Sequence, residues 1–223
     1  MDNLNLEVAD QKVVSAKKSN PNRIQQRPSK TAPGLKVSFL GGVGEIGKNM
    51  IVLEYGKDMI VIDAGLSFPT EDMPGIDIII PDMNYLLINK DRIKGILITH
   101  AHEDHIGAVP YLLQNINAPI YGSKLTCALI ENKLKEHKKI KAKLITVKPR
   151  TQIKLGCFGI EFIKVTHSIG GALAFAITTP AGVYFHTGDF KVDYTPINDE
   201  IIDLGRIAEL GNKGVLALMS DST

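Results

Sequence analysis

The chain has 223 residues, 44% of them hydrophobic and 22% charged, which excludes wholesale disorder and leaves room for one large domain or two small ones. Its formal net charge of +2 points to no partner by itself. Seven of the 26 basic and three of the 24 acidic groups lie in residues 1–36, so that segment carries +4 and the remainder −2. Cys127 and Cys157 stand thirty residues apart with no CxxC pattern, which excludes a disulfide framework or a cysteine zinc ribbon and makes a reducing, cytoplasmic setting the default. The first residues show no apolar run behind basic ones, so no secretory signal is read.

Residues 8–34 are rich in Lys, Ser, Asn, Gln and Pro with almost no apolar periodicity, and 1–34 reads as a flexible basic tail that buries too little to offset its ordering entropy. The folded region, 35–223, opens with strands at 35–40, 49–54 and 58–63. An irregular stretch with three prolines, 64–83, leads to a helix near Asp82 and an apolar strand at 95–98. A polar cluster at 99–105 precedes a helix at 107–114, a short strand at 119–121 and a helix capped by Ser123 and running to about Lys139. Strands at 143–147, 151–155 and 159–166 follow. The span 165–188 holds no Asp, Glu, Lys or Arg and is long enough to cross a bilayer, but its Pro180-Ala181-Gly182 turn between β-branched and aromatic runs reads as a buried hairpin. No membrane partner is expected. A helix near 198–208 and a strand at 214–219 complete the order, which implies α/β layers rather than a doubly wound sheet.

The chemistry is concentrated in Thr99-His100-Ala101-His102-Glu103-Asp104-His105. Half of the chain's six histidines fall within six positions, beside two carboxylates and directly after a strand. Imidazole and carboxylate are ligands that divalent metals such as zinc accept. On an extended segment, positions 100 and 102 point the same way, and the turn that follows carries Asp104 and His105 to a neighbouring point, a spacing suited to two metals. Further ligands must come from elsewhere. His167, Asp189 and Asp63 each close an apolar strand, where side chains from several strand ends can converge.

With these motifs the chain resembles the metallo-β-lactamase fold superfamily and, more narrowly, the amino-terminal part of the ribonuclease J family in its β-CASP nuclease branch. The matching segments are Gly41-Gly42-Val43-Gly44-Glu45-Ile46-Gly47-Lys48-Asn49, Val61-Ile62-Asp63-Ala64-Gly65, residues 99–107, Thr166-His167-Ser168-Ile169, His186-Thr187-Gly188-Asp189-Phe190-Lys191 and Ser220-Asp221-Ser222-Thr223. The resemblance implies an αββα sandwich, of which this chain is an incomplete first part. It also implies two zinc ions, or manganese or magnesium in their place. One is held by His100, His102 and His167, the other by Asp104 and His105, with Asp189 bridging. Asp104 and Asp63 are then the catalytic carboxylates, Asp63 by orienting ligands. The implied activity is hydrolysis of RNA, internally and from the 5′ end, by a hydroxide between the metals. The implied full-length protein is a homo-oligomer or part of a ribonuclease complex.

The resemblance has departures. No histidine follows His186, whereas the superfamily places a last ligand far downstream, and the chain stops where the β-CASP insertion would begin. It therefore reads as a fragment, with little or no turnover expected of it alone. Gly170-Gly171 stands where the family often has Pro-Asp, which bears on local substrate contacts.

The loop Gly42–Asn49 satisfies GxGxxG but is followed by a strand, not the helix a nucleotide motif needs; it reads as a turn passing close to the metal floor. Residues 133–150 hold eight basic groups against Glu136, without aromatic residues. Lys138, Lys139 and Lys141 are its candidate RNA contacts, to phosphates only. A small-substrate hydrolase of the same superfamily, such as a thioester hydrolase, and a non-catalytic RNA-binding scaffold are the rival readings.

Overall fold

The computed structural model describes residues 33–197 and 201–222, so the tail expected at 1–34 lies almost wholly outside the described residues, as do residues 198–200 of the late helix. Two sheets face each other. The first has the order β1 (Lys36–Gly41), β2 (Met50–Tyr55), β3 (Asp58–Ile62), β4 (Ile93–Leu97), β5 (Ile120–Gly122), β6 (Leu144–Thr146). It is antiparallel from β1 to β3 and parallel from β3 to β6. The second runs β11 (Ala217–Met219), β10 (Gly182–His186), β9 (Leu173–Thr179), β8 (Phe158–Lys164), β7 (Gln152–Leu155), antiparallel except for the β10–β11 pair.

Period-two alternation sorts the side chains into three cores. Leu53, Ile60, Ile62 and Leu97 of the first sheet meet Phe158, Phe162, Phe175 and Tyr184 of the second between the sheets. Phe162 and Phe175 pack edge to face at 5.6 Å between centroids, worth roughly 0.5–1.5 kcal/mol beyond their burial. The alternate residues, Val52, Met59, Val61 and Ile96, turn outward onto α1 (Asn84–Ile88), α2 (Glu103–Ile106), α3 (Val109–Leu113) and α4 (Lys124–Leu134) through Leu86, Ile106, Leu112 and Ile130. Ile163, Ala174 and Ala176 turn outward on the other side onto Leu210 of α5 (Leu204–Lys213). The layers are thus helix, sheet, sheet, helix, as the sequence led us to expect. No helix among the described residues is long and apolar enough to cross a membrane.

The strand order matches expectation, with helix ends that differ. The helix expected at 107–114 starts earlier, at Glu103, and is broken into α2 and α3. Pro110 has no N–H to continue the ladder, while Glu103 and Asp104 favour the first turn of a helix. α4 ends at Leu134, not near Lys139, because the lysine-rich run beyond it has no apolar stripe to bury. α5 starts at Leu204, capped by the Asp203 carboxylate, which accepts from Arg206 N at 3.1 Å.

Candidate metal centre

The site forms at the edge where β3, β4, β8 and β10 all end. Asp63 leaves β3 with φ of 60°, a left-handed conformation that Asp tolerates better than most residues. Its carboxylate explains why it is held there. Oδ1 accepts the Thr99 N–H and Oδ2 the Thr99 hydroxyl, both at 2.8 Å, and Oδ2 also lies 2.8 Å from His105 Nδ1. Gly65, two residues on, permits an approach no other residue would: a Cβ there would lie 1.6 Å from the Asp104 carbonyl oxygen. Main-chain bonds then stitch the exits together, Ala64 N to His105 O at 2.8 Å and Asn49 N to Asp104 O at 3.0 Å. Across the sheets, Leu173 N donates to Thr99 O at 2.9 Å, and Lys191 N donates to Thr166 O at 2.7 Å, which ties the His167 and Asp189 loops to each other.

Four of the six histidines meet here. His102 Nδ1 lies 3.0 Å from His100 Nε2 and 3.2 Å from His167 Nε2. His105 Nε2 lies 3.4 Å from Asp189 Oδ1 and 3.5 Å from Asp104 Oδ2, and His167 Nε2 lies 3.8 Å from Asp189 Oδ2. Two triples have ligand atoms all within 4.8 Å of one another: His100, His102, His167, and His100, His105, Asp189. Asp104 flanks the second through His105. The other two histidines are outside these triples: His137 packs edge-on to Tyr111, and His186, which lines the cleft beside His105 and Asp189, stacks by Phe175 and Tyr184. Lys138, Lys139 and Lys141 lie beyond the end of α4, outside this cluster.

The hydrogen bonds decide which ring nitrogens are free. Thr99 has one hydroxyl proton and gives it to Asp63, so its contact with His100 Nδ1 at 3.1 Å requires that nitrogen to carry a proton. His105 Nδ1 faces the Asp63 carboxylate and is likewise protonated. Both Nε2 lone pairs therefore point into the cluster, the arrangement in which a metal-ligating imidazole gives its other N–H to a carboxylate or its neighbour.

The electrostatics of the metal-free cluster separate the two rings, keeping His100 neutral and favouring a second proton on His105 that a metal at Nε2 would have to displace. Burial, reinforced by the positive charge at His105, pushes His100 down to about 3. Burial opposes the charged form of His105, yet Asp63, Asp104 and Asp189 together raise it well above the ordinary value. Burial would lift Asp189, but hydrogen bonding to His105 and the surrounding imidazoles draw it down to about 2. Imidazole nitrogens this close, with carboxylates aimed at the same point, are held together by shared protons or by a cation, and the donor set is one that zinc-class ions take.

The cleft beside the cluster measures about 830 Å³, with Asp63, Asp104, His105 and Asp189 lining it together with the Gly42–Gly47 loop and residues 219–222. That loop ends in Asn49, whose Nδ2 donates to the Asp104 carbonyl at 3.1 Å and its carboxylate at 3.3 Å. Strand β2 follows it, as a nucleotide-binding loop would not allow. Asn49 and Thr99 belong to the candidate site by these bonds, and sequence reasoning gave them no role. Their only sequence signal was membership of the glycine loop and of the histidine cluster.

This fold and site place the chain in a known class: it belongs to the metallo-β-lactamase superfamily, and the family model described as "Metallo-beta-lactamase superfamily" matches residues 43–209. Among curated relatives it is 50% identical over 192 residues to the ribonuclease J of Synechocystis sp., a match covering 85% of this chain and 30% of that protein. It is also 50% identical over 206 residues to the ribonuclease J of Helicobacter pylori, covering 92% and 30%. These matches bear out the resemblance read from the sequence; the chain spans about 30% of the length of those relatives. Among solved structures, the metallo-β-lactamase fold protein YhfI of Bacillus subtilis is similar at a TM-score of 0.50 and 23% identity, covering 71% of this chain and 63% of that one. A protein of unknown function from Enterococcus faecalis gives 0.56 and 22%, covering 72% and 44%. Both likenesses concern the fold.

Proposed function

We propose that the chain carries the metal-binding core of a ribonuclease J-type enzyme that hydrolyses RNA phosphodiesters, internally and from the 5′ end. The carrying observation is the convergence of four imidazoles and the Asp189 carboxylate from three distant segments into two triples, the ligand atoms of each within 4.8 Å of one another. The choice of RNA is supported by the two ribonuclease J relatives, since a match covering 85% of the chain or more has to include residues 63–189.

In this reading His100, His102 and His167 hold one zinc ion, and His105, Asp104 and Asp189 the other, with Asp189 shared; manganese or magnesium suit the more oxygen-rich position. When bound, such a pair supplies a solvent nucleophile whose pKa is near 7 and positive charge for the developing phosphorane oxygens. The chain's own residues do the positioning. Asp63 and Thr99 keep protons on Nδ1 of His105 and His100, leaving Nε2 of each free. Asn49 holds the Asp104 carboxylate, and the cleft beside Asp189 leaves room for a nucleotide. The same reading places the protein in the cytoplasm and the longer protein in a homo-oligomer or ribonuclease complex.

The test is to load the chain with zinc, titrate it with single-stranded RNA and offer it a thioester in parallel. Metal uptake with RNA binding and no thioester hydrolysis is expected. A chain that takes up no metal, or a loaded one that ignores RNA and turns over the thioester, overturns the reading.

A further inference from the structure

Residues 37–223 carry 21 acidic groups against 19 basic ones, so a strongly basic surface there requires sorting of charge in space. The structure shows such sorting on the α4 side. Three grooves run into one another: one at the loop after α4, one along the exposed face of α4 against β6, and one between the start of α4 and the loop after His167. The first two share Lys138 and Lys141, and the last two share Lys124 and Ala128.

Seven lysines line this path: Lys124, Lys135, Lys138, Lys139, Lys141, Lys148 and Lys164. None forms an ion pair among the described residues, a state they share with Lys57, Lys90, Lys143, Lys154 and Lys213 elsewhere, so it is their clustering in connected grooves that marks the path. Glu131 and Glu136 are the acids on the path, and the groove nearest the metal centre has none.

The path leads to the site. Gly170 and Gly171 form its rim, three and four residues after His167, and Gly171 packs so closely on Ser123 that a Cβ would lie 2.6 Å from its hydroxyl. Leu173, also on that rim, donates its N–H to Thr99 beside His100.

We infer that this lysine path is a docking track for the sugar–phosphate backbone of single-stranded RNA, running from the loop after α4 to the metal centre. The inference rests on the ribonuclease reading and extends it to the substrate's course. The eleven residues of α4 span about 16 Å at 1.5 Å each, enough for about five phosphates of a stacked strand. No Phe, Tyr or Trp lines any of the three grooves and His137 is the one aromatic ring along them, so stacking is minimal and the track reads charge, not sequence.

The experiment measures RNA affinity against salt for the full chain and for K124Q/K138Q/K141Q/K148Q, using labelled oligouridylate and oligocytidylate. Each phosphate contact on a single strand contributes about 0.7 to the slope of log K against log salt, so four lost contacts lower it by about 3. The two oligonucleotides are expected to behave alike. The quadruple arginine variant is expected to keep the wild-type slope, as is K57Q/K90Q/K213Q, whose lysines lie off the path; zinc content and the circular dichroism spectrum verify folding. An unchanged slope in the glutamine variant overturns the track and leaves the ribonuclease reading standing. Loss of binding to an acidic polypeptide, with RNA binding intact, reassigns the surface to a protein and overturns it too. Absence of RNA binding by the wild-type chain removes both.

Discussion

Replacing Asp63 by Asn tests the wiring of the site without reshaping it. Asn has the same outline and tolerates the φ of 60° as well as Asp does. What changes is one oxygen for an NH₂ group. Placed toward Thr99 N–H, the amide sets donor against donor; placed the other way, it must donate to the Thr99 hydroxyl and His105 Nδ1. His105 then carries its proton on Nε2, the atom 3.4 Å from Asp189 and 3.5 Å from Asp104, and is lost as a ligand. Loss of an outer hydrogen-bond partner of this kind costs roughly 10- to 100-fold in metal affinity. The mismatch is 2% exposed and costs about 1–3 kcal/mol of stability besides. Chelator competition measures the first, and thermal unfolding of the metal-free protein the second. Nitrogen chemical shifts of the histidines report the tautomer. Wild-type metal affinity together with a proton still on His105 Nδ1 would refute the reasoning.

Asn49→Ala removes the amide that secures Asp104, and is expected to weaken metal binding several-fold while lowering stability by about 1 kcal/mol; unaltered affinity in the same competition assay would take Asn49 out of the site. Free zinc at about 100 times its Kd adds about 2.7 kcal/mol for each folded-state site, raising Tm by about 5–11 °C at this chain length, and a chelator is expected to reverse the shift. The forked pair between Arg206 and Glu161, at 2.8 Å through both Nε and Nη2, joins α5 to β8 and holds the Glu161 carboxyl below its ordinary 4.5, against the opposing effect of burial. A depressed folded-state pKa means that this stability is complete above about pH 4.5 and fades as pH falls through the lowered value. Melting curves between pH 6 and 3 are therefore expected to fall less steeply for Glu161→Gln than for the wild type; parallel curves would show that the pair contributes nothing.

The strands and most of the candidate site were readable in the sequence because they depend on local pattern, while the pairing of the strands into two sheets came from the family resemblance. Strand β3, written Asp58-Met59-Ile60-Val61-Ile62, declares two buried faces, and three imidazoles within six positions declare a ligand cluster. His167 and Asp189 were legible as polar residues ending apolar strands. Thr99 and Asn49 were not recognised for their roles, since both act through contacts between segments 36 and 55 positions apart. Helix ends misled for a related reason. The lysines after Leu134 are good helix formers, but a helix persists where it has something to bury, and that is a property of the packed molecule. The early start of α2 did have a local cue, the acids Glu103 and Asp104 in its first turn.

Quantifying bound zinc in the purified chain, beside the His167→Ala and Asp189→Ala variants, probes the convergence itself, because position 167 lies 65 residues from His102 along the chain and meets it only if the fold is as described. Two equivalents in the wild type and a clear loss in each variant are predicted. Near-zero metal in the wild type, or full retention after both substitutions, would contradict the account.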